Sequence, residues 1–382
     1  MDITQQGALA LLKAAVTGEA VALPEEFDIA AACTLMKPHH VLPLLYEGAV
    51  RCGISRQNET MARLFRLSFN HLMVSEKQQR AILQVCDAFD SNGIDYLPLK
   101  GCRMKHLYPR PELRVMGDAD ILIRMEQYDR IAPLMAQLGF ERGEESDHEL
   151  VWKREDLYLE LHKHLIPSYN EDLFDYFAPV WLRAARVHGG CHELTAEEEF
   201  VYLFAHFAKH FRDGGIGCRH GLDLWVYLRQ NPDLDAGAVA EAMTQLGLQE
   251  FYGNIRRLLA VWFDGAETDE KTELIGQFIF ESGSFASQRM RALFTAARAT
   301  QKGGGRLAYL RQAAFPSVAQ LEGKYTVLKK APWLLPAVWV YRPVYKLVAE
   351  RSALRRQRQN LSALQTQALE ESRFLLRYVG LK

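Results

Sequence analysis

Apolar residues recur along this chain with two different periods, and the change from one to the other divides it into three regions. From Gln5 to about Gln84 the spacing is helical. Ala8, Leu11, Leu12 and Ala15 share one face, Ala30 to Leu35 and Leu42 to Ala49 continue the pattern, and Pro38 and Pro43 mark helix starts or breaks. Met61, Leu64, Phe65, Leu67, Leu72, Ile82, Val85 and Phe89 outline one long helix between Glu59 and Phe89. Residues 1–90 therefore read as an N-terminal helical cap. Over 91–190 short apolar runs alternate with helical stretches: strands at Tyr96 to Leu99, Ala119 to Arg124, Leu150 to Lys153 and Leu157 to His162, helices at Cys102 to Tyr108 and Met125 to Leu138. That order predicts a small mixed sheet with helices on one side. From 191 to 382 the pattern is helical again. Thr195-Ala196-Glu197-Glu198 has the form of a capping box, and the helix it opens carries Phe200, Leu203, Phe204 and Phe207. Breaks are expected near Asp264-Gly265, at Gly303-Gly304-Gly305 and at Pro316. The fold class is thus α+β.

Two stretches of the middle region carry candidate chemistry. Tyr96-Leu97-Pro98-Leu99 stops at Lys100-Gly101-Cys102 and restarts with helix-compatible residues, so a strand turns into a helix whose first N–H groups face an anion. Further on, Gly117-Asp118-Ala119-Asp120-Ile121-Leu122-Ile123 places Asp118 and Asp120 on one face of a strand and Ala119, Ile121 and Ile123 on the other. Two carboxylates held that close repel unless a cation sits between them, and for hard oxygen ligands the cation is Mg²⁺ or Mn²⁺. On the strand Leu157 to His162, Glu160 is a carboxylate between apolar neighbours, costly to bury without a partner, and is the candidate third acid.

These residues resemble a family. The glycine turn followed by Asp-x-Asp is similar to the nucleotidyltransferase fold of the DNA polymerase β superfamily. Leu99-Lys100-Gly101, Leu113-Arg114-Val115-Met116-Gly117-Asp118-Ala119-Asp120, Leu138-Gly139-Phe140 and Glu160-Leu161-His162-Lys163-His164-Leu165 resemble the bacterial uncharacterised nucleotidyltransferase family. Leu42 to Tyr46 and Ala331 to Pro336 extend the likeness over most of the chain. The resemblance implies a metal-dependent enzyme that moves a nucleoside monophosphate from an NTP to an acceptor hydroxyl and releases pyrophosphate. It implies that Asp118, Asp120 and Glu160 are catalytic and hold Mg²⁺ (or Mn²⁺), and that Lys100, Gly101 and Cys102 form the turn under the triphosphate. Cys102 departs from the superfamily's usual glycine or serine, and the stretch from Gly101 to Asp118 implies an extra loop around Tyr108 to Glu112.

Other candidates have two readings each. Arg114 reaches a phosphate or makes a structural ion pair. His206, Lys209 and His210 share a helix face by their spacing and either contact nucleotide or acceptor, or the histidines are a satisfied core pair. One of His162 and His164 orients Glu160, or the pair serves the sheet edge. His39 and His40 either line a pocket or open a helix beside Pro38.

Composition sets the outer bounds. With 382 residues, 48% of them hydrophobic, the chain is long enough for two or three packed regions. A net charge of -1 argues against a broad nucleic-acid-gripping surface. Six cysteines without regular spacing suit free thiols in a reducing compartment, and Met1 to Gln6 lacks the basic start of a signal peptide, so the expected location is cytoplasmic. Ala331 to Tyr341 is uncharged but interrupted by Pro332 and Pro336, too short for the roughly 20 apolar residues of a span. With Arg351, Arg355, Arg356 and Arg358 it is either a solvated helix face whose apolar side packs on the body or a peripheral membrane contact, and a non-catalytic nucleotide- or partner-binding protein, at the membrane surface in an envelope polysaccharide or peptide-modification pathway, is the alternative function.

Overall fold

The computed structural model describes residues 1–284 and, beyond them, 290–291, 293–295, 297, 315–316, 318–321, 325, 327–349 and 366–381. Four helices come first: α1 (Ile3–Thr17), α2 (Ile29–Met36), α3 (Leu42–Arg51) and α4 (Glu59–Ser91). The middle of the chain gives β1 (Tyr96–Pro98), α5 (Gly101–Met104), β2 (Ala119–Ile123), α6 (Tyr128–Gln137), β3 (Glu141–Glu145), β4 (Glu149–Arg154), β5 (Leu157–His162), α7 (Glu171–Phe177), α8 (Val180–Arg183), β6 (Ala185–His188) and β7 (Cys191–Glu193). Helices α9 (Ala196–Arg212), α10 (Cys218–Gln230), α11 (Ala236–Gln245), α12 (Gln249–Leu259) and α13 (Glu270–Ser282) follow.

The seven strands form one mixed sheet in the order β3-β4-β5-β2-β1-β7-β6. β2 lies antiparallel to β1 and parallel to β5, with Asp120 beside Glu160 and Leu122 beside His162. This register decides the site, because residues paired across two strands project to the same face. Ala119, Ile121 and Ile123 point to the opposite face, where with Leu159 and Leu161 they bury Ala81, Ile82, Val85 and Phe89 of α4 and Ile131 and Met135 of α6.

Helices cover both faces of the sheet, not one. Leu97 and Leu122 belong to a second core that contains Leu11, Leu12 and Ala15 of α1, Leu44 and Leu45 of α3, Phe200, Phe204 and Phe207 of α9 and Phe251 of α12. The first three helices thus join the C-terminal helices in one apolar body, and only α4 crosses to the far face. The sheet also runs on to Glu193, past residue 190, because β7 pairs with β1 at Tyr96 and Cys191.

Local signals are met in part. The Thr195 hydroxyl accepts the Glu198 N–H at 3.3 Å as a cap should, while the Glu198 carboxylate goes to Arg183 instead of closing the box. The chain after α12 widens into a π-turn, Ala260–Asp264, that ends on Gly265 at φ 77°. The extra loop between Gly101 and Asp118 docks through Tyr108, whose hydroxyl donates to Asp223 of α10 at 2.8 Å, and Arg110, which meets Glu47 of α3 at 2.7 Å. Pro332–Leu334 forms a single tight turn before a helix over Leu335–Ala349, leaving Trp333 75% exposed. Among the described residues no helix is long and apolar enough to cross a membrane. Gly303 to Gly305 and the arginines at 351, 355, 356 and 358 lie outside the described residues.

Candidate active site

The turn after β1 is strained at its lysine and crowded at its glycine. Lys100 takes φ 38° and ψ -111°, a conformation that L residues with a side chain rarely adopt and that costs of order 1–3 kcal/mol. Gly101 is needed for space: a Cβ there would lie 2.8 Å from the Arg114 guanidinium and 2.9 Å from Met116 Cγ. The strained turn delivers the Lys100 ammonium to Asp120, with Nζ 2.9 Å from Oδ1. Cys102 and Arg103 direct their N–H groups to the carbonyls of Leu99 and Lys100, each at 3.0 Å. The amides of both residues are therefore satisfied within the turn.

Asp120 is buried, and His162 approaches the same Oδ1 with Nε2 at 2.7 Å while standing 3.7 Å from Glu160 Oε2. Burial alone would favour the neutral acid, but Lys100 and His162 outweigh it and hold the Asp120 carboxyl well below the usual carboxylate range. Asp118, one residue before β2, gets too little help from Lys100 to offset its surroundings. Burial and the neighbouring charges of Asp120 and Glu160 push its carboxyl up to about 6. The His162 ring lies above its ordinary pKa, since its bonds to Asp120 and Glu160 overcome burial and the repulsion of Lys100. The loop leading to Asp118 is pinned by Gln78 of α4, whose side-chain amide donates to the Met116 carbonyl at 3.2 Å.

Facing the acids, on helices packed over the same face of the sheet, stands a wall of basic side chains. Tyr202, His206, Lys209 and His210 follow one another along a face of α9, with the two histidines joined Nε2 to Nε2 at 3.0 Å. α10 adds Arg219, which donates to the Val115 carbonyl at 2.7 Å, and His220, whose ring lies 5.8 Å from that of His210. Burial first, then the surrounding positive charges of Lys100, Lys209 and Arg219, pushes His206, His210 and His220 well below their ordinary pKa. Lys209 falls to about 8 and Arg219 to about 10 for the same two reasons. These side chains are half-buried, so solvent reaches them. A group of cations that suppress one another is relieved by an anion, and phosphate is the anion that suits closely spaced lysine, arginine and imidazole donors.

Comparison with protein families matches residues 25–264 to the family described as uncharacterised nucleotidyltransferase. The chain belongs to that family. It is a transferase whose general reaction is nucleotidyl transfer and whose donor is an NTP. Comparison with curated proteins and with solved structures finds no match.

Within this nucleotidyltransferase the structure separates the residues that sequence grouped together. Asp120, Glu160 and His162 offer three ligand atoms within 4.8 Å of one another, a set of two carboxylates and one imidazole that suits a divalent cation. The raised Asp118 carboxyl is a further sign of fit, because a cation beside it would relieve the repulsion from Asp120 and Glu160. Lys100 presents its ammonium to Asp120, and Cys102 is buried with its thiol pushed up to about 12 by burial and by Asp120. Of the two readings of Arg114 the structure has the ion pair, against the placing of this residue among the phosphate contacts. It is buried and grips Asp223 with two hydrogen bonds, at 3.2 and 2.9 Å, so its guanidinium is committed to α10 and not to a phosphate. His39 is buried and accepts the Cys218 N–H at 3.2 Å. Tyr202, Arg219 and His220 went unnoticed in the sequence, although two basic residues opening a helix just after Gly217 are a usable sign of an anion site.

Proposed function

We propose that this transferase moves a nucleoside monophosphate from an NTP to an acceptor hydroxyl with release of pyrophosphate, using Asp118, Asp120 and Glu160 as ligands for Mg²⁺ (or Mn²⁺). The observation that carries the reading is the in-register pair Asp120 and Glu160, with Asp118 raised to about 6 beside them, facing the basic wall of α9 and α10. When bound, two such ions neutralise the phosphates and activate the attacking oxygen of an in-line displacement. Asp120 stays ionised because Lys100 and His162 hold it, so it meets an ion as a carboxylate at any physiological pH. His206, Lys209, His210, Arg219 and His220 receive the β- and γ-phosphates and regain positive charge as they do so. Lys100, paired with Asp120 in the free protein, exchanges that carboxylate for phosphate oxygens when nucleotide enters. Gly101 keeps the turn close enough for this.

The acceptor is a hydroxyl of a small molecule, a sugar, a protein or an RNA end. Its attack is oriented by the acids, and the proton it loses passes to the carboxylate side of the cleft. The test is pyrophosphate release from a panel of NTPs with Mg²⁺ or Mn²⁺ in the presence of cell lysate. Release that disappears in Asp118→Asn and Asp120→Asn, with circular dichroism unchanged, supports the assignment. Release that persists in both variants overturns it.

A further inference from the structure

Behind the acid site, on the side toward β4, lies a second group of metal-ligand side chains. Glu149 pairs with His162 across β4 and β5, and His148 precedes it at the strand's start. One ligand atom from each of His148, Glu149 and His162 lies within 4.8 Å of the other two. His148 Nε2 is 3.0 Å from Glu149 Oε2, its Nδ1 is 3.3 Å from the Ser146 hydroxyl, and its ring centroid is 5.6 Å from that of His162. A separate observation points to a missing partner. His162 is 1% exposed, its Nε2 is taken by Asp120, and its Nδ1 is buried without any hydrogen-bond partner. In the neutral ring with Nε2–H on Asp120, Nδ1 is an unused lone pair. In the charged ring it is an unused N–H. Either state leaves a buried polar atom unsatisfied, at a cost of order 1–3 kcal/mol.

We propose that His148, Glu149 and His162 form a second metal site, for a zinc-class divalent ion, with His162 offering Nδ1 to that ion and Nε2–H to Asp120. Carboxylate, imidazole and metal in a row is the usual way a ligating histidine is oriented, and here Asp120 is the carboxylate. Ser146 plays the same part for His148. Two imidazoles and one carboxylate suit zinc better than Mg²⁺, which prefers all-oxygen sites, so the pair of sites divides by ion: hard oxygen donors around Asp118, Asp120 and Glu160, softer nitrogen donors around His148 and His162. His148 and Glu149 keep side-chain exposures of 15% and 23%, which is a route in for the ion. The ion would fix the His162 tautomer and with it the hydrogen bond on Asp120 Oδ1. The inference does not rest on the transfer reaction, since it needs only these side chains.

The test uses the full chain, stripped of metal and titrated with Zn²⁺ at about pH 8, where a proton no longer competes for the imidazoles. Calorimetry gives the affinity, and X-ray absorption at the zinc edge gives the first shell. The expected result is one ion with nitrogen and oxygen neighbours at about 2.0–2.2 Å and no sulfur at about 2.3 Å. His148→Ala and Glu149→Gln should each weaken binding at least tenfold, Ser146→Ala should weaken it by a smaller factor, and Asp118→Asn should leave it unchanged. A sulfur shell would assign the ion to one of the six free cysteines and overturn the proposal. So would zinc affinity that is equal in the wild type and His148→Ala, or no saturable binding by the wild type. Melting curves of the metal-free variants separate loss of a ligand from loss of the fold.

Discussion

Asp118→Asn should make the metal-free protein more stable, which is the opposite of what changing a half-buried polar side chain usually does. The Asp118 carboxyl is pushed from 3.8 to about 6 by burial and by Asp120 and Glu160. A raised acid pKa means the folded state holds its proton more tightly than the unfolded chain does. Stability is therefore lost as pH rises between 3.8 and 6 and stays lost above that range. At about 1.4 kcal/mol for each pKa unit, ionised Asp118 costs the fold roughly 3 kcal/mol at neutral pH. Asparagine keeps the shape and removes the charge. Urea unfolding near neutral pH with chelator present should show the variant more stable by 2 or so kcal/mol, on the order of the full cost less any lost hydrogen bond. The gain should shrink to about a third of the full cost near pH 4.5, where the folded acid is still protonated and the unfolded chain has ionised only part of the way up the 3.8-to-6 window. Saturating Mg²⁺ should reverse the order, because the ion stabilises only the chain that keeps its ligand. A variant less stable than wild type without metal, or equal stabilisation of both by Mg²⁺, would refute the electrostatic reading of this residue.

Three further substitutions test other parts of the account. Asp223→Asn keeps one oxygen for Tyr108 and Arg114 Nε but sets an amide donor against Arg114 Nη2 and leaves the buried guanidinium without its counter-charge, so it should cost about 3–5 kcal/mol and show as lost soluble yield or a much lower urea midpoint. Gly101→Ala should destabilise by about 1–3 kcal/mol, because the added methyl meets an Arg114 side chain that Asp223 prevents from moving aside; an unchanged melting curve would count against the crowding. Lys209→Met should raise the KM for NTP by about tenfold or more, the worth of a charged hydrogen bond to phosphate. Because Lys209 titrates at about 8, wild-type affinity should also fall as pH rises through that value while the variant's stays flat, and parallel pH profiles would remove Lys209 from the phosphate wall.

The parts of the site that could be read from the sequence are those that obey a local period. Alternation placed Asp118 and Asp120 on one face, and the same alternation on a later strand singled out Glu160; the register between β2 and β5 then sets Glu160 directly beside Asp120. What local spacing could not supply was the partner of Arg114, which sits 109 residues away on another helix. The same holds for the core shared by α1, α3 and α9 to α13, since no short window relates Leu11 to Phe204. β3 was missed for a different reason: Glu141 to Glu145 is a polar run on an exposed sheet edge, with no apolar face to betray it. The β6 and β7 hairpin is short and its outer strand exposed, so the boundary at residue 190 cut through it. His148 and Glu149 lie before the strand expected from Leu150, and only the pairing of Glu149 with His162 draws them to the site. The strain at Lys100 left no sign either, since a glycine follows it and was the natural place to expect the unusual backbone.

The central claim is that the Asp118, Asp120 and Glu160 cluster directs attack at the α-phosphate of an NTP. The most direct measurement supplies the protein and Mg²⁺ with NTPs labelled either at the α- or at the γ-phosphate, together with cell lysate, and follows where each label goes. The account predicts that the α-label enters an acceptor and the γ-label leaves as pyrophosphate, with both signals lost in Glu160→Gln. A γ-label found on the acceptor, or α-label transfer undiminished in Glu160→Gln, would contradict it.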